Sequence, residues 1–287
     1  MTQRNSSPVH PWRAIFARRI QRLQRMEIQF AKWHGTGNDF IMIDDRDGTF
    51  PVDDRAFVQH LCDRHRGIGS DGIVLIQPPK SPDTEFHMEF FNPDGSQSFC
   101  GNGSRCAYAY WCELFGSRSE ARFTAIDGEH SGIWKDGMVS ITLSFQGGIK
   151  RGTDGASVDF INTGSPHELV WVDDPDSVSI MEEGPRRRNA ERHGPGGTNV
   201  NFVRVESAVL HMRTYERGVE AETLSCGTGV VAAAISALDR KVLSTPVHVR
   251  TRGGSLQVEA LRSGVGEFGE VRLTGPVKAV FTGRING

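Results

Sequence analysis

Short runs of apolar residues alternate along the chain with turns rich in glycine, proline and aspartate. Six runs have the length and the β-branched or aromatic content of strands. They are DFIMID (39–44), GIVLIQ (72–77), EFHMEFF (85–91), MVSITLSF (138–145), VNFVRVE (200–206) and AVLHMRTY (208–215). A further strand begins at MEIQFAKW, from Met26, where apolar and polar side chains alternate as they do on a half-buried strand.

Apolar residues at the spacing of a helix are found in fewer segments than the strand patterns. The segment Asp53–His65 puts Phe57, Leu61 and Cys62 on one face. Residues 227–238, GTGVVAAAISAL, are apolar nearly all round, which is typical of a helix buried on every side. Because strands and helices are mixed through most of the chain, the pattern predicts a mixed α/β fold.

Two segments are dense in glycine and proline. Residues 147–155 are our candidate junction between domains, and residues 184–197 have the composition of a mobile loop. A chain of 287 residues with 37% hydrophobic side chains is long enough to build two cores. We therefore expect two domains of ordinary size.

Residues 1–25 differ in composition from the rest of the chain. The segment RAIFARRIQRLQR has many arginines and no acidic residue, and it fits a short basic amphipathic helix. Such a segment is typical of a targeting or surface-binding extension, and an upstream start site ahead of Met26 would produce it as well. We interpret it as a basic extension, flexible or untranslated in the cell, outside the folded body.

Composition narrows the setting. The formal charge of −2 and the isoelectric point near 6.6 give no general attraction for polyanions, which argues against nucleic acid and favours a small ligand. No run approaches the ~18 uninterrupted apolar residues of a membrane span, so we expect a soluble protein. The odd number of cysteines, five, and the lack of a convincing secretory signal favour a reducing cytoplasm over a disulfide framework.

One short pattern is found twice. Cys100 and Cys226 each precede Gly-x-Gly and then a long run of helix-forming residues. The first turn of a helix leaves backbone N–H groups unpaired and carries partial positive charge, which stabilises a thiolate and can lower a cysteine pKa to ~3.5–7.5. The glycines keep the helix end open to a substrate carboxylate. Each motif therefore predicts both a base and a binding position for an anion.

Other roles of the cysteines fit the pattern less well. Most cysteines are small buried hydrophobic residues, and Cys62, Cys106 and Cys112 fit that interpretation because they lie inside amphipathic helices. A zinc site is disfavoured because they lack close ligand spacing and a His-x₃-His pair. A thiol oxidoreductase would need neighbouring cysteines such as Cys-x-x-Cys. Cys100 and Cys226 stand apart because packing does not require the same context twice.

Several ordered motifs make the chain from Met26 onward resemble the diaminopimelate epimerase family. They are HGTGNDF (34–40), GIGSDG (67–72), NPDGSQSFCGNGSRC (92–106), GSPH (164–167), TNVNF (198–202) and YERGVEAETLSCGTG (215–229). Enzymes of this family interconvert the LL and meso forms of 2,6-diaminopimelate. The resemblance therefore implies an epimerase with no cofactor and no metal, in lysine and peptidoglycan precursor biosynthesis in the cytoplasm.

The resemblance also implies the fold class. This is an α/β (α+β) protein of two pseudo-symmetric domains, each a curved, mostly antiparallel sheet wrapped around a central helix. The implied N-terminal domain is 26–147, with 275–287 returning to it, and the C-terminal domain is 148–274. The active site would lie between them. The expected partner is a small-molecule substrate, with neither nucleic acid nor membrane, and a homodimer is an open expectation.

Inverting an amino-acid α-carbon requires one proton to leave from one face and another to arrive on the opposite face. By resemblance, Cys100 and Cys226 are the two acid–base groups. Arg217 would hold the distal carboxylate, and rejection of lysine would require it to be a buried cation. Glu216 would meet the distal ammonium or tune Cys226, and His167 matches a histidine thought to assist the first cysteine. The other substrate-binding residues implied are Asn38, Asn92, Gly101, Asn102, Asn199, Gly227 and Thr228.

Three features depart from the family pattern: the residues at positions 165 and 72, and the local spacing near both cysteines, which differs by one residue from some relatives. Ser165 replaces an asparagine that usually contacts ligand, and Gly72 stands where some members have glutamine.

Proline and hydroxyproline racemases also use two cysteines on a similar fold, but their first motif typically has histidine where this chain has Asn102. Phenazine-biosynthesis isomerases share the fold and lack the cysteine pair. A noncatalytic amino-acid-binding module would not need both cysteines and Arg217.

Overall fold

The computed structural model describes residues 27–116, 120–143, 148–264 and 267–286, which contain sixteen strands and four α-helices. The strands are β1 (Glu27–Gly35), β2 (Asn38–Asp44), β3 (Ile73–Gln77), β4 (Phe86–Phe91), β5 (Ala121–Ala125), β6 (Gly128–Lys135), β7 (Met138–Leu143), β8 (Lys150–Arg151), β9 (Val158–Asn162), β10 (Pro166–Trp171), β11 (Asn199–Glu206), β12 (Val209–Glu216), β13 (Ala221–Thr223), β14 (Val247–Thr251), β15 (Gly254–Gly264) and β16 (Glu267–Asn286). The helices are α1 (Arg55–Cys62), α2 (Gly101–Phe115), α3 (Ile180–Arg188) and α4 (Gly227–Asp239), with short 3₁₀ turns at Pro175–Ser177 and Glu191–His193.

The strands predicted from the sequence are confirmed, with ends that differ by one residue where both ends are described. The strand expected from Met26 is β1. The last two residues of MVSITLSF, 144–145, lie outside the described residues, as does the basic extension 1–25. Alternation gave the correct faces at the start of β1, where Ile28 and Phe30 are buried and Glu27 and Gln29 are exposed.

Helix α1 is confirmed but shorter than the predicted segment Asp53–His65. The Asp54 carboxylate accepts a hydrogen bond from the backbone N–H of Phe57 at 3.1 Å, and this cap sets the first helical residue. Leu61 and Cys62 are buried, and Phe57 packs at the edge of the same hydrophobic cluster. The predicted apolar face of this helix is therefore correct.

Each cysteine helix joins two parallel strands that are neighbours in the sheet. Strand β4 leads to α2 and then to β5, and β12 leads through β13 to α4 and then to β14. Helices α1 and α3 make the corresponding connections from β2 to β3 and from β10 to β11. The two halves of the chain repeat one order of strands and helices, which confirms the predicted pseudo-symmetry.

Strand β16 belongs to both halves. Its first part pairs with β15 and with β7, and residues 277–286 pair antiparallel with β1. Strands β1 to β7 together with β16 therefore form a closed barrel. Strands β15, β14, β12, β11, β10, β9 and β8 continue the sheet beyond β16. Most neighbouring strands are antiparallel, as expected for this fold class.

A helix lies at the centre of each half. Every residue of α4 from Gly227 to Leu238 is buried, as its all-round apolar sequence predicts. Residues Gly101 to Ala109 of α2 are buried as well. Strand β6 passes so close to α2 that a Cβ built at Gly132 would lie 2.3 Å from the Tyr108 ring. The predicted arrangement of a sheet around a central helix is confirmed.

The prediction of a mobile loop over 184–197 is wrong for its first part, which belongs to α3. Glutamates lie in the first turn of α3 and arginines in its last, and both placements favour the helix dipole. Arg187, Arg192 and His193 lie 2.9, 2.7 and 2.8 Å from the carboxylate of Glu168, which is fully buried. These contacts with Glu168 tie the segment to β10, and the glycine and proline content of the segment gives no sign of them.

The candidate junction at 147–155 contains the two-residue strand β8, which pairs with β9, and residue 147 lies outside the described residues. The division into domains 26–147 and 148–274 stays a prediction. The pairing of residues 277–286 with β1 supports the return of the last segment to the N-terminal half.

Candidate functional site

Cys100 and Cys226 are the N-cap residues of α2 and α4, at equivalent points of the two halves. Their backbone angles nearly coincide, with φ −130° and ψ 107° at Cys100 and φ −116° and ψ 110° at Cys226. Cys100 is half-buried, and its Sγ accepts from the backbone N–H of Gly103 at 3.3 Å. Cys226 is buried, with its Sγ 3.5 Å from Oγ1 of Thr228. Each cysteine thus precedes a helix, as the sequence predicts.

The first turns of α2 and α4 are in contact with each other. A Cβ built at Gly227 would lie 3.1 Å from Oδ1 and 3.2 Å from the backbone nitrogen of Asn102. A Cβ at Gly101 would lie 3.7 Å from Cα of Gly227. The side-chain nitrogen of Asn102 donates to the backbone oxygen of Ser225, the residue before Cys226, at 3.0 Å. These contacts bring the two helix starts, with their unpaired N–H groups, side by side.

Asn38 extends this contact on the side of the first motif. Its Oδ1 accepts from Nδ2 of Asn102 at 3.2 Å, and its own Nδ2 donates to Asp71 at 2.7 Å. Asp71 also pairs with Arg64 at 2.7 Å. The sequence did not single out Asp71, because aspartate is ordinary in a glycine-rich turn.

His167 lies on β10 and is linked to the second motif. It is fully buried, and its Nε2 is 2.9 Å from Oγ1 of Thr228, which in turn contacts Cys226. Its Nδ1 is 3.2 Å from Nδ2 of Asn201. Burial lowers the pKa of His167 to about 3, so the ring is neutral. The resemblance assigned His167 to the first cysteine, whereas its hydrogen bonds in this structure lead to the helix of Cys226.

A second polar group surrounds Asn199. Its Nδ2 donates to Oγ of Ser165 at 2.9 Å, and its Oδ1 accepts from the backbone N–H of Arg217 at 2.9 Å. Nη2 of Arg217 lies 3.5 Å from the same Ser165 oxygen. Ser165, which departs from the family pattern, therefore contacts two of the predicted binding residues. Arg217 is exposed rather than buried as expected, because it follows the last residue of β12 in a turn.

Glu216, the last residue of β12, faces both thiols. Its carboxylate accepts a hydrogen bond from Oγ1 of Thr223 at 2.6 Å, and its charge acts on the thiol of Cys226. Its charge also acts on Cys100. Burial raises the pKa of Glu216 to about 7, and the neighbouring carboxylate of Asp71 adds to the rise. Glu216 can therefore hold or release a proton near neutral pH.

The expectation that the helix starts lower the thiol pKa values is wrong for this structure. Burial raises the pKa of Cys100 to about 12, and burial and the charge of Glu216 raise the pKa of Cys226. The N–H groups of Gly103 and Asn102 act in the opposite direction at Cys100, but desolvation is the larger effect. Both cysteines are therefore thiols at neutral pH in this structure.

Asn92 is placed in the turn between β4 and α2. Its Nδ2 donates to the backbone oxygen and the hydroxyl of Ser96 and to the hydroxyl of Ser98, each at 3.1 Å. These bonds stay within the turn, so the structure does not tie Asn92 to the residues around Asn199. Asn201, which the sequence analysis missed, lies two residues after Asn199 and so on the same face of β11.

The other cysteines are buried: Cys62 in α1, and Cys106 and Cys112 in α2. Burial raises the pKa of Cys62 and of Cys106, as expected for structural thiols. Within the residues that the structure describes, no three histidine, cysteine, aspartate or glutamate side chains are grouped so that they could hold a metal ion.

The fold matches solved structures at low sequence identity. A phenazine biosynthesis protein of the PhzF family from Bacillus anthracis has a TM-score of 0.71 and 12% identity, over 91% of this chain and 99% of that one. A hydroxyproline epimerase from Agrobacterium vitis, solved with trans-4-hydroxy-L-proline, has a TM-score of 0.67 and 16% identity, over 90% and 91% of the two chains. At this identity the likeness establishes the fold alone.

Sequence relatives are more specific. A diaminopimelate epimerase from Aquifex aeolicus is 42% identical over 278 residues, covering 90% of this chain and 98% of the relative. One from Flavobacterium psychrophilum is 39% identical over 254 residues, covering 87% and 97%. The sequence profile named diaminopimelate epimerase matches residues 30–137 and 160–280, which include both cysteine motifs. The chain therefore belongs to the diaminopimelate epimerase family, whose members are isomerases.

Proposed function

We propose that this protein is a cofactor-independent epimerase that interconverts LL- and meso-2,6-diaminopimelate by proton transfer through Cys100 and Cys226. The observation that carries the proposal is the contact between two helix starts, each preceded by a cysteine with nearly the same backbone geometry. Family membership supports the substrate, since the relatives at 42% and 39% identity are named for it. One thiol from each half suits a reaction that must act on both faces of one carbon.

Each turnover moves two protons. The thiolate of one cysteine takes the proton from Cα, and the thiol of the other delivers its proton to the opposite face of the carbanion. One C–H bond breaks and another forms, while thiol and thiolate exchange places between the two cysteines. The reverse reaction starts from that exchanged state, so Cys100 and Cys226 each serve as base in one direction and as acid in the other.

The carbanion needs stabilisation in the absence of an electron sink such as pyridoxal phosphate. The donors available are the backbone N–H groups at the starts of α2 and α4, near Gly101 and Asn102 on one side and Gly227 and Thr228 on the other. Aimed at the α-carboxylate, they would stabilise the charge that develops there in the transition state. Glycine at 101 and 227 keeps this approach clear of side chains.

One thiol must lose its proton before the cycle begins. Glu216 is suited to take it from Cys226, because its carboxylate is near enough to act on that thiol by its charge and its pKa is about 7. His167 is neutral and fixes the hydroxyl of Thr228 beside the same thiol. We assign Glu216 the role of proton acceptor and His167 that of a positioning residue for Thr228.

The distal end of the substrate requires recognition of a second carboxylate and a second ammonium. The guanidinium of Arg217 is exposed, has five N–H donors and matches a carboxylate in shape. Asn199 holds the backbone of Arg217 through a 2.9 Å hydrogen bond, and Ser165 lies beside both. We assign the distal carboxylate to Arg217 with Asn199, and we place Asn38 and Asn92 among the ligand-binding residues on the basis of their motifs.

The wider setting follows from the proposed reaction. A diaminopimelate epimerase supplies meso-diaminopimelate for lysine and peptidoglycan precursors, which would place this protein in the cytoplasm. In the part of the chain that the structure describes, no helix is long and apolar enough to cross a membrane. The negative formal charge supports a small-molecule partner over nucleic acid. A homodimer and the two-domain division are part of the same proposal.

The test is to incubate the purified protein with LL-diaminopimelate in deuterated water. Deuterium should enter at Cα while the meso form accumulates, and mass spectrometry and chiral chromatography measure the two. Cys100→Ala and Cys226→Ala should each lower turnover by about 10²–10⁴-fold, since a positioned acid or base contributes that much and nothing else serves the vacated face. Cys62→Ala, in α1, is the matched control and should retain turnover.

Three results would reject the proposal. Near-normal turnover by Cys100→Ala or Cys226→Ala would show that the two-thiol assignment is wrong. L-proline is the comparison substrate in the same deuterated buffer, and exchange on proline without exchange on diaminopimelate would assign the protein to the racemases. Exchange on neither, with binding of diaminopimelate, would indicate a noncatalytic binding protein.

A further inference from the structure

Arg105 is a buried cation without a carboxylate partner among the described residues. It lies on α2, five residues after Cys100, and its exposed fraction is 0%. Nη2 donates to Oγ1 of Thr36 at 3.2 Å, while Nε and Nη1 have no hydrogen-bond partner. An unpaired charge in the protein interior is unfavourable by several kcal/mol, so a site that retains one invites a functional explanation.

The surrounding backbone is shaped to admit the guanidinium. A Cβ built at Gly275 would lie 3.2 Å from both Cζ and Nε of Arg105, and one at Gly35 would lie 3.2 Å from Nη2. The same point beside Gly35 is 3.2 Å from the backbone oxygen of Asn102, so the guanidinium reaches back along α2 to its first turn. Glycine on both strands keeps this slot open.

A polar chain links the guanidinium to the second cysteine motif. Arg105 bonds to Thr36, whose Oγ1 donates to Oγ of Ser225 at 3.2 Å. The backbone oxygen of Ser225 accepts from Asn102 at 3.0 Å, and Ser225 directly precedes Cys226. The chain therefore starts on the helix of one cysteine and ends beside the other.

The charges that face the two thiols are few and mostly unfavourable to a thiolate. Glu216 raises the pKa of both Cys100 and Cys226, and each thiol has desolvation against it. Arg105 lowers the pKa of Cys100 and of its neighbour Cys106, while His167 is neutral behind Thr228. A fixed positive charge near the helix starts opposes these effects.

We propose that Arg105 is a positioning residue for the thiol pair. It holds a fixed positive charge behind the two helix starts, and the hydrogen bonds through Thr36 and Ser225 fix the place of that charge relative to both motifs. The charge favours the thiolate at Cys100 and the binding of an anionic ligand between the helices. The inference deepens the proposed function, on which its catalytic meaning rests, but its central claim concerns the thiols and can be measured without substrate.

The test is the pH dependence of alkylation by iodoacetamide, followed separately at Cys100 and Cys226 by peptide mass spectrometry. Arg105→Met should raise the apparent pKa of Cys100 by about one unit, which lowers its alkylation rate below that pKa by about tenfold. Cys226 should change less. Arg105→Lys retains the charge and should restore the Cys100 profile to within about threefold of wild type. Arg46→Met, which removes an exposed arginine, is the matched control and should change neither thiol.

Each outcome decides the matter. A Cys100 profile that is the same in wild type and Arg105→Met overturns the proposal, and so does an equal loss in Arg105→Lys and Arg105→Met, since that would indicate shape rather than charge. If Arg105→Met does not fold, Arg105→Gln takes its place as the neutral variant with which Arg105→Lys is compared. A wild type that fails to epimerise diaminopimelate would reject the proposed function and leave the thiol result standing.

Discussion

Gly72 lies directly against the ring of Phe90. A Cβ built at residue 72 would come within 2.4 Å of Cε2 and 2.7 Å of Cζ of that ring, and within 2.7 Å of the backbone oxygen of Phe91. Real Cβ atoms do not approach other atoms so closely. Glutamine, which the family resemblance implies for some relatives at this position, has no room here because the ring of Phe90 on β4 occupies the space.

Gly72→Gln should lower stability by about 1–3 kcal/mol, because the added side chain overpacks a filled region. For a chain of this size we expect the melting temperature to fall by roughly 2–4 °C per kcal/mol, measured by calorimetry. Gly148→Gln is the control, since no atom of the described residues lies within 4 Å of a Cβ built there. Adding Phe90→Leu to Gly72→Gln should recover part of the loss, and an unchanged melting temperature in Gly72→Gln would contradict the packing argument.

Gly227→Ala should impair the reaction more than the fold. Its Cβ would press on the side chain and backbone of Asn102 at 3.1 and 3.2 Å, so the two helix starts must separate by a few tenths of an ångström. We expect kcat/KM for diaminopimelate to fall at least tenfold, since small displacements of transition-state donors are costly. Gly148→Ala should leave the rate unchanged. Wild-type kinetics in Gly227→Ala would show that the contact is not used in catalysis.

Arg217→Lys should be far from conservative. A lysine offers a point charge where the distal carboxylate would receive two parallel hydrogen bonds, so kcat/KM for diaminopimelate should fall by about 10²-fold. Because Arg217 is exposed in this structure, its substitution should leave the melting temperature and the alkylation of Cys100 and Cys226 unchanged. In Arg217→Met, the ratio of kcat/KM for diaminopimelate to kcat/KM for lysine should be smaller than in wild type. If wild type converts lysine at a rate comparable to diaminopimelate, the assignment of Arg217 to the distal carboxylate is wrong.

Glu216 should make the folded state less stable as pH rises from about 4.5 to about 7. Its pKa is raised to about 7 in the folded protein, so the folded state binds more protons than the unfolded state in this window, and unfolding becomes easier as the pH increases. Relative to Glu216→Gln, wild type should lose on the order of 1–3 kcal/mol across the window, measured by urea unfolding.

Glu222 provides a control of the opposite sign. Its pKa is lowered, chiefly by a hydrogen bond from Arg213, whose Nε lies 2.7 Å from the carboxylate. Glu222 therefore stabilises the folded state above the pKa that it has in the unfolded chain, and this stabilisation is lost as the pH falls. Glu222→Gln should be less stable than wild type at neutral pH, with the difference shrinking in acid. If the difference in the free energy of unfolding between wild type and Glu216→Gln stays constant from pH 4.5 to 8, Glu216 is an ordinary solvated acid.

The regular elements were predictable where one physical signal dominated. The buried helix α4 is apolar on every side, and the strands found from the sequence are short runs of β-branched and aromatic residues. Strand β6, GEHSGIWK, was missed because it carries polar residues, and its buried His130 contacts the backbone oxygen of Thr142 and the carboxylate of Asp127. Helix α3 was missed because it is held by the ion pair of Arg187 with Glu168, a residue 19 positions earlier in the sequence. Such pairings depend on the tertiary fold.

The site was predictable as far as motifs reach. The two cysteines, and the glycines beside them, could be found because the same pattern is repeated. Asp71, Asn201 and Arg105 could not, because their significance comes from what lies against them in space. The thiol pKa values are raised, whereas the sequence predicted that they would be lowered. A helix start favours a thiolate, but the burial of Cys100 and Cys226 disfavours it more. Desolvation is a property of the assembled protein and leaves no mark on a local sequence.

The double membership of β16 has a consequence for the order in which the chain can fold. The barrel around α2 needs residues 271–286, which pair with β7 and β1 and follow every other strand of both halves in the sequence. Until they are synthesised, both β1 and β7 expose an open sheet edge, even though every other strand of that barrel has been made. The N-terminal barrel must therefore stay open until the C-terminal half has been synthesised, and a chain that stalls between β7 and β16 would present two unpaired sheet edges to its neighbours.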